Sequence, residues 1–353
     1  MEGYVDWLRR ATAPLNHGAY YAPAAAIWRE AVTAIENALG PKHADTAMGL
    51  NCLANQLRDQ GDYAAAKPLY ERAFAISEEV FGTEDRMTVW CLNNIASIFS
   101  AQGDFAGAKA LYERALTISE RAFGSEDPLT ALSLGNLSGV LEAKGDYAAA
   151  KPLCERALAI SEKLLGADKA FTLQILNNLS HLLHTMGDYA AAKPLCERAL
   201  AIREKTLGQE HPETAESLHN LAMILKAQGD LVAAKPLYER ALAIRENKLG
   251  AEHPHTALNL SDLSHLLQVM GDYAAAKPLC ERALAIREKV LGLEHPHTAT
   301  SLNNLSALLR AQGEYVAAKA LCERALAICE NKLGAEHPTT TIIRENLKKC
   351  CST

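Results

Sequence analysis

The sequence predicts an all-α protein, a right-handed superhelical solenoid of antiparallel helix pairs, and three observations predict it. A segment that reads GDYAAAKPLYERAFAI from Gly61 recurs, with substitutions, at Gly103, Gly145, Gly187, Gly229, Gly271 and Gly313, each time 42 residues on. A second series, Gly40, Gly82, Gly124, Gly166, Gly208, Gly250, Gly292 and Gly334, keeps the same step of 42. Between the glycines, apolar residues recur at spacings of three and four, as on a helix with one buried stripe. A chain of 353 residues would ordinarily be divided into globular domains, but a fixed internal period means that each unit stacks on its neighbours and no spherical core is needed.

The elements follow in order. Residues 1–40 form a degenerate capping helix pair: Tyr4–Ala11 supplies a short first helix, and Tyr21, Ala24, Ile27, Trp28 and Ala31 echo the second helix of a unit. Seven units fill residues 41–336, and the last shows the anatomy. Pro296 suits a first helical position, where its missing N–H is not needed. Leu302, Leu305, Leu308 and Leu309 make one apolar stripe, and Gly313 ends that helix. The second helix starts near Glu314, where most copies have Asp, a good N-cap. Its inner stripe is Tyr315, Ala318, Cys322, Ala325 and Ile328. Pro68, Pro152, Pro194, Pro236 and Pro278 fall in the second turn of second helices, where a slight kink is expected. Residues 337–353 hold a capping helix over Thr339–Cys350, with Arg344, Glu345, Lys348 and Lys349 facing water.

Bulk properties exclude several classes of function. The net charge of −6 and the absence of any Lys/Arg-rich run argue against nucleic acid as a partner. No window approaches the roughly 18 consecutive apolar residues of a membrane span, and the first residues lack a signal-peptide core, so the expected location is cytoplasmic. Among nine cysteines, Cys154, Cys196, Cys280 and Cys322 share one repeat position with Tyr70, Tyr112 and Tyr238. A position that accepts Cys or Tyr is a packing site, and these are read as reduced core thiols.

In the third unit, Leu134, Leu137, Ser138, Leu141, Gly145, Asp146, Tyr147, Ala150, Cys154 and Ala157 stand in an order that resembles the tetratricopeptide repeat. The longer unit, with AIREKTLGQEHPETAESLHNLA from Ala201 and EHPHTATSLNNLSALL from Glu294, is similar to the kinesin light chain subclass. The likeness covers about residues 41–346. No heptad segment of the kind kinesin light chains carry precedes residue 40, so a motor subunit is not expected. The resemblance implies a non-catalytic interaction scaffold that binds an extended peptide or a partner domain in a concave groove lined by first helices.

On that implication the groove holds one aligned position with Asn94, Asn136, Asn178, Asn220 and Asn304, where Cys52 and Asp262 complete the series. The resemblance assigns these amides to the backbone of a bound peptide, and an amide carries both a donor and an acceptor. The preceding position supplies Asn51, Asn93, Asn177, His219 and Asn303; later turns add His181, His184, Lys226 and Arg310, with an apolar anchor near Trp90, Leu132 or Leu258. The alternative for the asparagines is a bridge between neighbouring helices. The chaperone-tail clamp needs a Lys/Arg constellation that these positions lack.

No sequence motif of an enzyme or a cofactor site appears: GDYAAAKP lacks the second glycine and Ser/Thr of a phosphate loop, and HExxH, GxSxG and GxGxxG are absent. His43, His211, His253, His295 and His337 recur with the period and are read as structural, and His181, His184, His219 and His265 as groove lining in preference to a metal site. An architectural role through self-association at one end is the competing function. A monomer is the default expectation.

Overall fold

The computed structural model describes residues 21–351, and the expected helix over Tyr4–Ala11 lies outside them. The described residues form sixteen α-helices and no strands. The second-type helices are α1 (Tyr21–Leu39), α3 (Tyr63–Phe81), α5 (Phe105–Phe123), α7 (Tyr147–Leu164), α9 (Tyr189–Leu207), α11 (Leu231–Lys248), α13 (Tyr273–Leu291) and α15 (Tyr315–Lys332). The first-type helices are α2 (Ala44–Asp59), α4 (Arg86–Ala101), α6 (Pro128–Ala143), α8 (Ala170–Thr185), α10 (Pro212–Ala227), α12 (Pro254–Val269), α14 (Pro296–Ala311) and α16 (Pro338–Cys351). They fall into two compact units, one ending at Asp188 and the other starting at Tyr189. Within each unit every helix packs on its neighbours in sequence.

Backbone chemistry explains why the helices end where they do. Gly145 takes φ +80°, which a side chain would strain, and this lets its N–H reach Glu142 O at 2.8 Å while Asp146 N reaches Leu141 O at 2.8 Å. Asp146 then starts α7 by accepting Ala149 N at 3.3 Å, and Asp62, Asp104, Asp230 and Asp272 do the same for their helices. Glu314 makes no such cap and pairs instead with Lys277 at 3.1 Å. Pro68, Pro152, Pro194, Pro236 and Pro278 all lie inside unbroken helices.

The first helices start with a second device. Asp85 and Asp127 cap α4 and α6, whereas at His43, His211, His253, His295 and His337 the ring Nδ1 accepts the N–H two residues on, at 3.0–3.2 Å. Beside each cap a threonine hydroxyl donates to the carbonyl of the preceding turn glycine: Thr46, Thr88, Thr130, Thr214, Thr256, Thr298 and Thr340, all at 2.8–2.9 Å. The start of α8 departs from the pattern. Lys169 has cap backbone angles but makes no side-chain cap bond, and the buried Thr172 hydroxyl finds no partner.

The core is a ladder of small and large side chains. Ala318, Cys322, Ala325 and Ile328 face Leu302, Leu305, Leu308 and Leu309, and all are buried. Tyr315 is not part of that stripe: it is 40% exposed, because it begins its helix at the rim of the turn. Ile27 is likewise exposed, and Ile35 fills the inner stripe of α1 beside Ala24, Trp28 and Ala31. In the second unit Arg203, Arg245 and Arg287 are buried where Ser77, Ser119 and Ser161 stand in earlier copies. Each donates to a carbonyl in the first turn of the next helix, Glu213 O at 2.9 Å, His255 O at 3.1 Å and His297 O at 3.2 Å. Burial lowers Arg245 to about 10, although Glu216 and Asp262 oppose it. Outside, Arg72–Glu36, Arg114–Glu78, Arg156–Glu120, Arg240–Glu204, Arg282–Glu246 and Arg324–Glu288 repeat one ion pair between successive second helices. Being solvent-exposed, each is worth about 0.5 kcal/mol and serves register more than stability.

Candidate functional site

A helix turns about 100° per residue, so two adjacent positions on a first helix point in different directions. The structure separates the pairs at 93/94, 177/178 and 219/220 by burial, but not the pair at 303/304. Asn51, Asn93, Asn177 and His219 are buried between helices and are not on the open face, contrary to the sequence expectation. Asn94, Asn136, Asn220, Asn303 and Asn304 are half-buried, Asn178 and His181 are exposed, and Trp90, His184, Lys226 and Arg310 lie at the edge between.

The buried amides do the bridging. Asn94 Nδ2 donates to Asn51 Oδ1 at 3.0 Å, Asn136 Nδ2 to Asn93 Oδ1 at 2.9 Å, and Asn346 Nδ2 to Asn303 Oδ1 at 3.0 Å. Asn93 Nδ2 in turn donates to Val89 O and to Ser133 Oγ, at 2.9 and 3.3 Å. The outer amide of each pair thus spends one N–H on its neighbour. For Asn94 and Asn136, Oδ1 accepts no hydrogen bond from any described residue.

In the first unit the open face carries a depression of about 350 Å³ lined by Ser100, Tyr112, Gly135, Asn136, Ser138, Gly139, Glu142, Asn178 and His181. Its floor is made by the absence of side chains: a Cβ at Gly135 or Gly139 would meet nothing within 4 Å. Both glycines sit inside α6, where glycine costs about 1 kcal/mol relative to alanine. At one wall His181 Nδ1 and Glu142 Oε1 lie 2.9 Å apart, and the Thr185 hydroxyl donates to the same oxygen at 2.9 Å. The Glu142 bond raises the His181 pKa against the opposing effect of burial. Asn178 Oδ1 accepts Gln174 Nε2 at 3.1 Å. Sequence reasoning did not find this hollow. Glycines at 135 and 139, inside a helix that carries side chains at those positions in every other copy, were the signal available for it.

The second unit has a more charged face. His219 Nδ1 lies 2.7 Å from Asn259 Oδ1 and its Nε2 is 3.3 Å from Asp262. Burial lowers the His219 pKa, with Asp262 opposing. Lys226 Nζ stands 3.3 Å from His265 Nδ1 and over the Tyr238 ring at 6.0 Å. Burial lowers Lys226 as well. The Tyr238 hydroxyl is buried with no partner, since Met223 stands where Asn55 accepts the matching Tyr70 hydroxyl at 2.6 Å. Among the described residues no group of three or more His, Cys, Asp or Glu is arranged to hold a metal ion, and no helix is long and apolar enough to cross a membrane.

The tetratricopeptide repeat pattern matches residues 45–121, 101–163, 129–194, 171–247, 217–274 and 255–321, which together span most of the chain. The chain belongs to the tetratricopeptide repeat family. Its subclass is kinesin light chain-like. The tetratricopeptide array is similar to two structures of nearly identical TPR-like repeats, assigned to a kinesin light chain, from Podosopora anserina, each 27% identical over 58% of this chain and 97% of that one, with TM-scores of 0.51 and 0.50. It is also similar to BtubC (BKLC) of P. vanneervenii, 25% identical over 68% of this chain and 93% of that one, with a TM-score of 0.52. The Rap protein complexed with Competence and Sporulation Factor shares the fold alone, at 15% identity over 100% of this chain and 98% of that one, with a TM-score of 0.57. No curated protein matches the chain. Tetratricopeptide arrays are typically protein-interaction scaffolds and generally non-enzymatic.

Proposed function

We propose that this tetratricopeptide array is a non-catalytic scaffold that holds an extended peptide of a partner protein across the first helices of its first unit. The observation that carries the reading is the hollow at Gly135 and Gly139 beside Asn136 and Asn178. Two glycines inside one helix cost stability, and the space they leave is walled by amides, a hydroxyl and the Glu142–His181 pair. An extended peptide presents backbone N–H and C=O groups at a regular spacing, and the Oδ1 atoms of Asn94 and Asn136 offer acceptors to them. One peptide side chain enters the hollow, and Trp90 and Leu132, both half-buried, flank its path.

The test is selection of peptides from a random display library on the wild-type chain, followed by titration against Gly139→Leu and Asn178→Ala. Gly139→Leu fills the hollow without removing any bond, so the reading expects affinity to fall at least tenfold while helical content stays the same. Selected peptides that bind both variants as tightly as the wild type would overturn the reading and favour self-association through one end of the array.

A further inference from the structure

We infer that Cys322 and Cys350 form a reversible disulfide that pins the last helix of the chain onto the last repeat. Cys322 lies on α15 and Cys350 on α16, and both side chains are buried, at 0% and 6% exposure. They share one neighbour: the Ser306 hydroxyl is 3.1 Å from Cys322 Sγ and 3.9 Å from Cys350 Sγ. One hydroxyl thus lies within reach of both sulfurs, which places the two thiols around it.

The repeat makes the pairing specific. Cys350 occupies the position held in other first helices by Leu308, Leu266, Ile224, Leu182, Val140 and Ile98. The side chain 28 residues earlier, on the preceding second helix, is Cys280 before Leu308, Tyr238 before Leu266, Cys196 before Ile224 and Cys154 before Leu182. Elsewhere a thiol or phenol faces an aliphatic residue at this register, and only at Cys322–Cys350 do two thiols face each other.

Burial raises the Cys322 pKa, and Cys350 raises it further against the Ser306 bond. In the closed state the Cys322 thiol is therefore protonated and slow to react. Reaction begins at the other sulfur. α16 packs chiefly on α15 and only lightly on any other described helix, so it opens more readily than helices packed closely on both sides. When α16 opens, the Cys350 thiol loses its proton and the thiolate attacks a small-molecule disulfide such as glutathione disulfide. One S–S bond breaks, one glutathione thiolate leaves, and a mixed disulfide forms on Cys350. On reclosure the Cys322 thiol gives up its proton and attacks the Cys350 sulfur, expelling the second glutathione thiolate. Two protein thiols lose two electrons and two protons, and glutathione disulfide gains them as two molecules of glutathione. Excess glutathione reverses each step.

The native full-length chain, carrying Cys351→Ser so that its last tryptic peptide holds one thiol, is equilibrated with glutathione disulfide and glutathione at several ratios and digested. The expected result is a tryptic peptide containing Cys322 joined to the one containing Cys350, reversible by glutathione. Amide exchange across α16 is expected to slow by roughly tenfold or more on oxidation. Cys350→Leu restores the residue of Leu308 and keeps the helix packed, so it should abolish both the cross-link and the oxidant-dependent slowing. A link from Cys350 to Cys329, or a Cys322–Cys350 link that forms only in denaturant, would overturn the inference. So would a natively folded wild type that stays fully reduced at every ratio.

Discussion

The Nδ1 atom of His295 accepts the backbone N–H of His297 at 3.0 Å, and this cap exists only while the ring is neutral. Burial, with His297, Arg287 and Lys332 nearby, lowers the His295 pKa to about 4. Its folded value is thus below the unfolded value of about 6.5, so the cap's stabilisation is complete above pH 6.5 and is lost as pH falls towards 4. The loss is on the order of 2–3 kcal/mol. Asp85 and Asp127 show that a carboxylate fits the same role. His295→Asp should therefore flatten the fall in stability between pH 6.5 and 4, measured as urea midpoints across that range. A variant with the wild-type slope would show that the cap is not the titrating contact.

Gly139 separates stability from binding. Gly139→Ala adds a Cβ that meets nothing within 4 Å and removes the glycine penalty inside α6. It should raise stability by about 1 kcal/mol, read as a higher urea midpoint. Loss of stability would mean that the α6 backbone needs glycine for packing.

The start of α8 is under-capped. Lys169 holds φ −81° and ψ 145°, close to the φ −77° and ψ 146° of the capping Asp127. Lys169→Asp should supply the missing cap and stabilise by about 1 kcal/mol, with slower amide exchange confined to the first turn of α8. Unchanged exchange in that turn would sink the idea.

Two equivalent tyrosines should respond oppositely. Tyr70→Phe removes a bond to Asn55 and leaves its oxygen unpaired, at a cost of about 1 kcal/mol. Tyr238→Phe removes a buried hydroxyl that has no partner and should be neutral or stabilising. Thermal unfolding of the pair reads the contrast directly, and equal losses would show that the Tyr238 hydroxyl is satisfied in solution.

Much of the fold was legible before any coordinates. The two glycine series place every turn from Gly61 to Gly334, and Ala318, Cys322, Ala325 and Ile328 are buried as their spacing requires. Position in the repeat also marked the histidines as structural; their identity as Nδ1 caps needed the geometry of the turn. Adjacent asparagines were harder. Asn93 and Asn94 are equally polar in sequence, and both lie at the border of the apolar stripe, where periodicity carries no preference.

The sequence by itself determined the helix pairs, their boundaries and the apolar stripe of each, because these depend on local periodicity and on residues with special backbone freedom. Tertiary structure alone decided which border residue turns inward. It put Asn93 inside and Asn94 at the face, opened the hollow over Gly139, and set Cys322 opposite Cys350. The reason is that the rotation of one helix against the next, not the residue's own polarity, fixes what lies beyond the edge of a stripe.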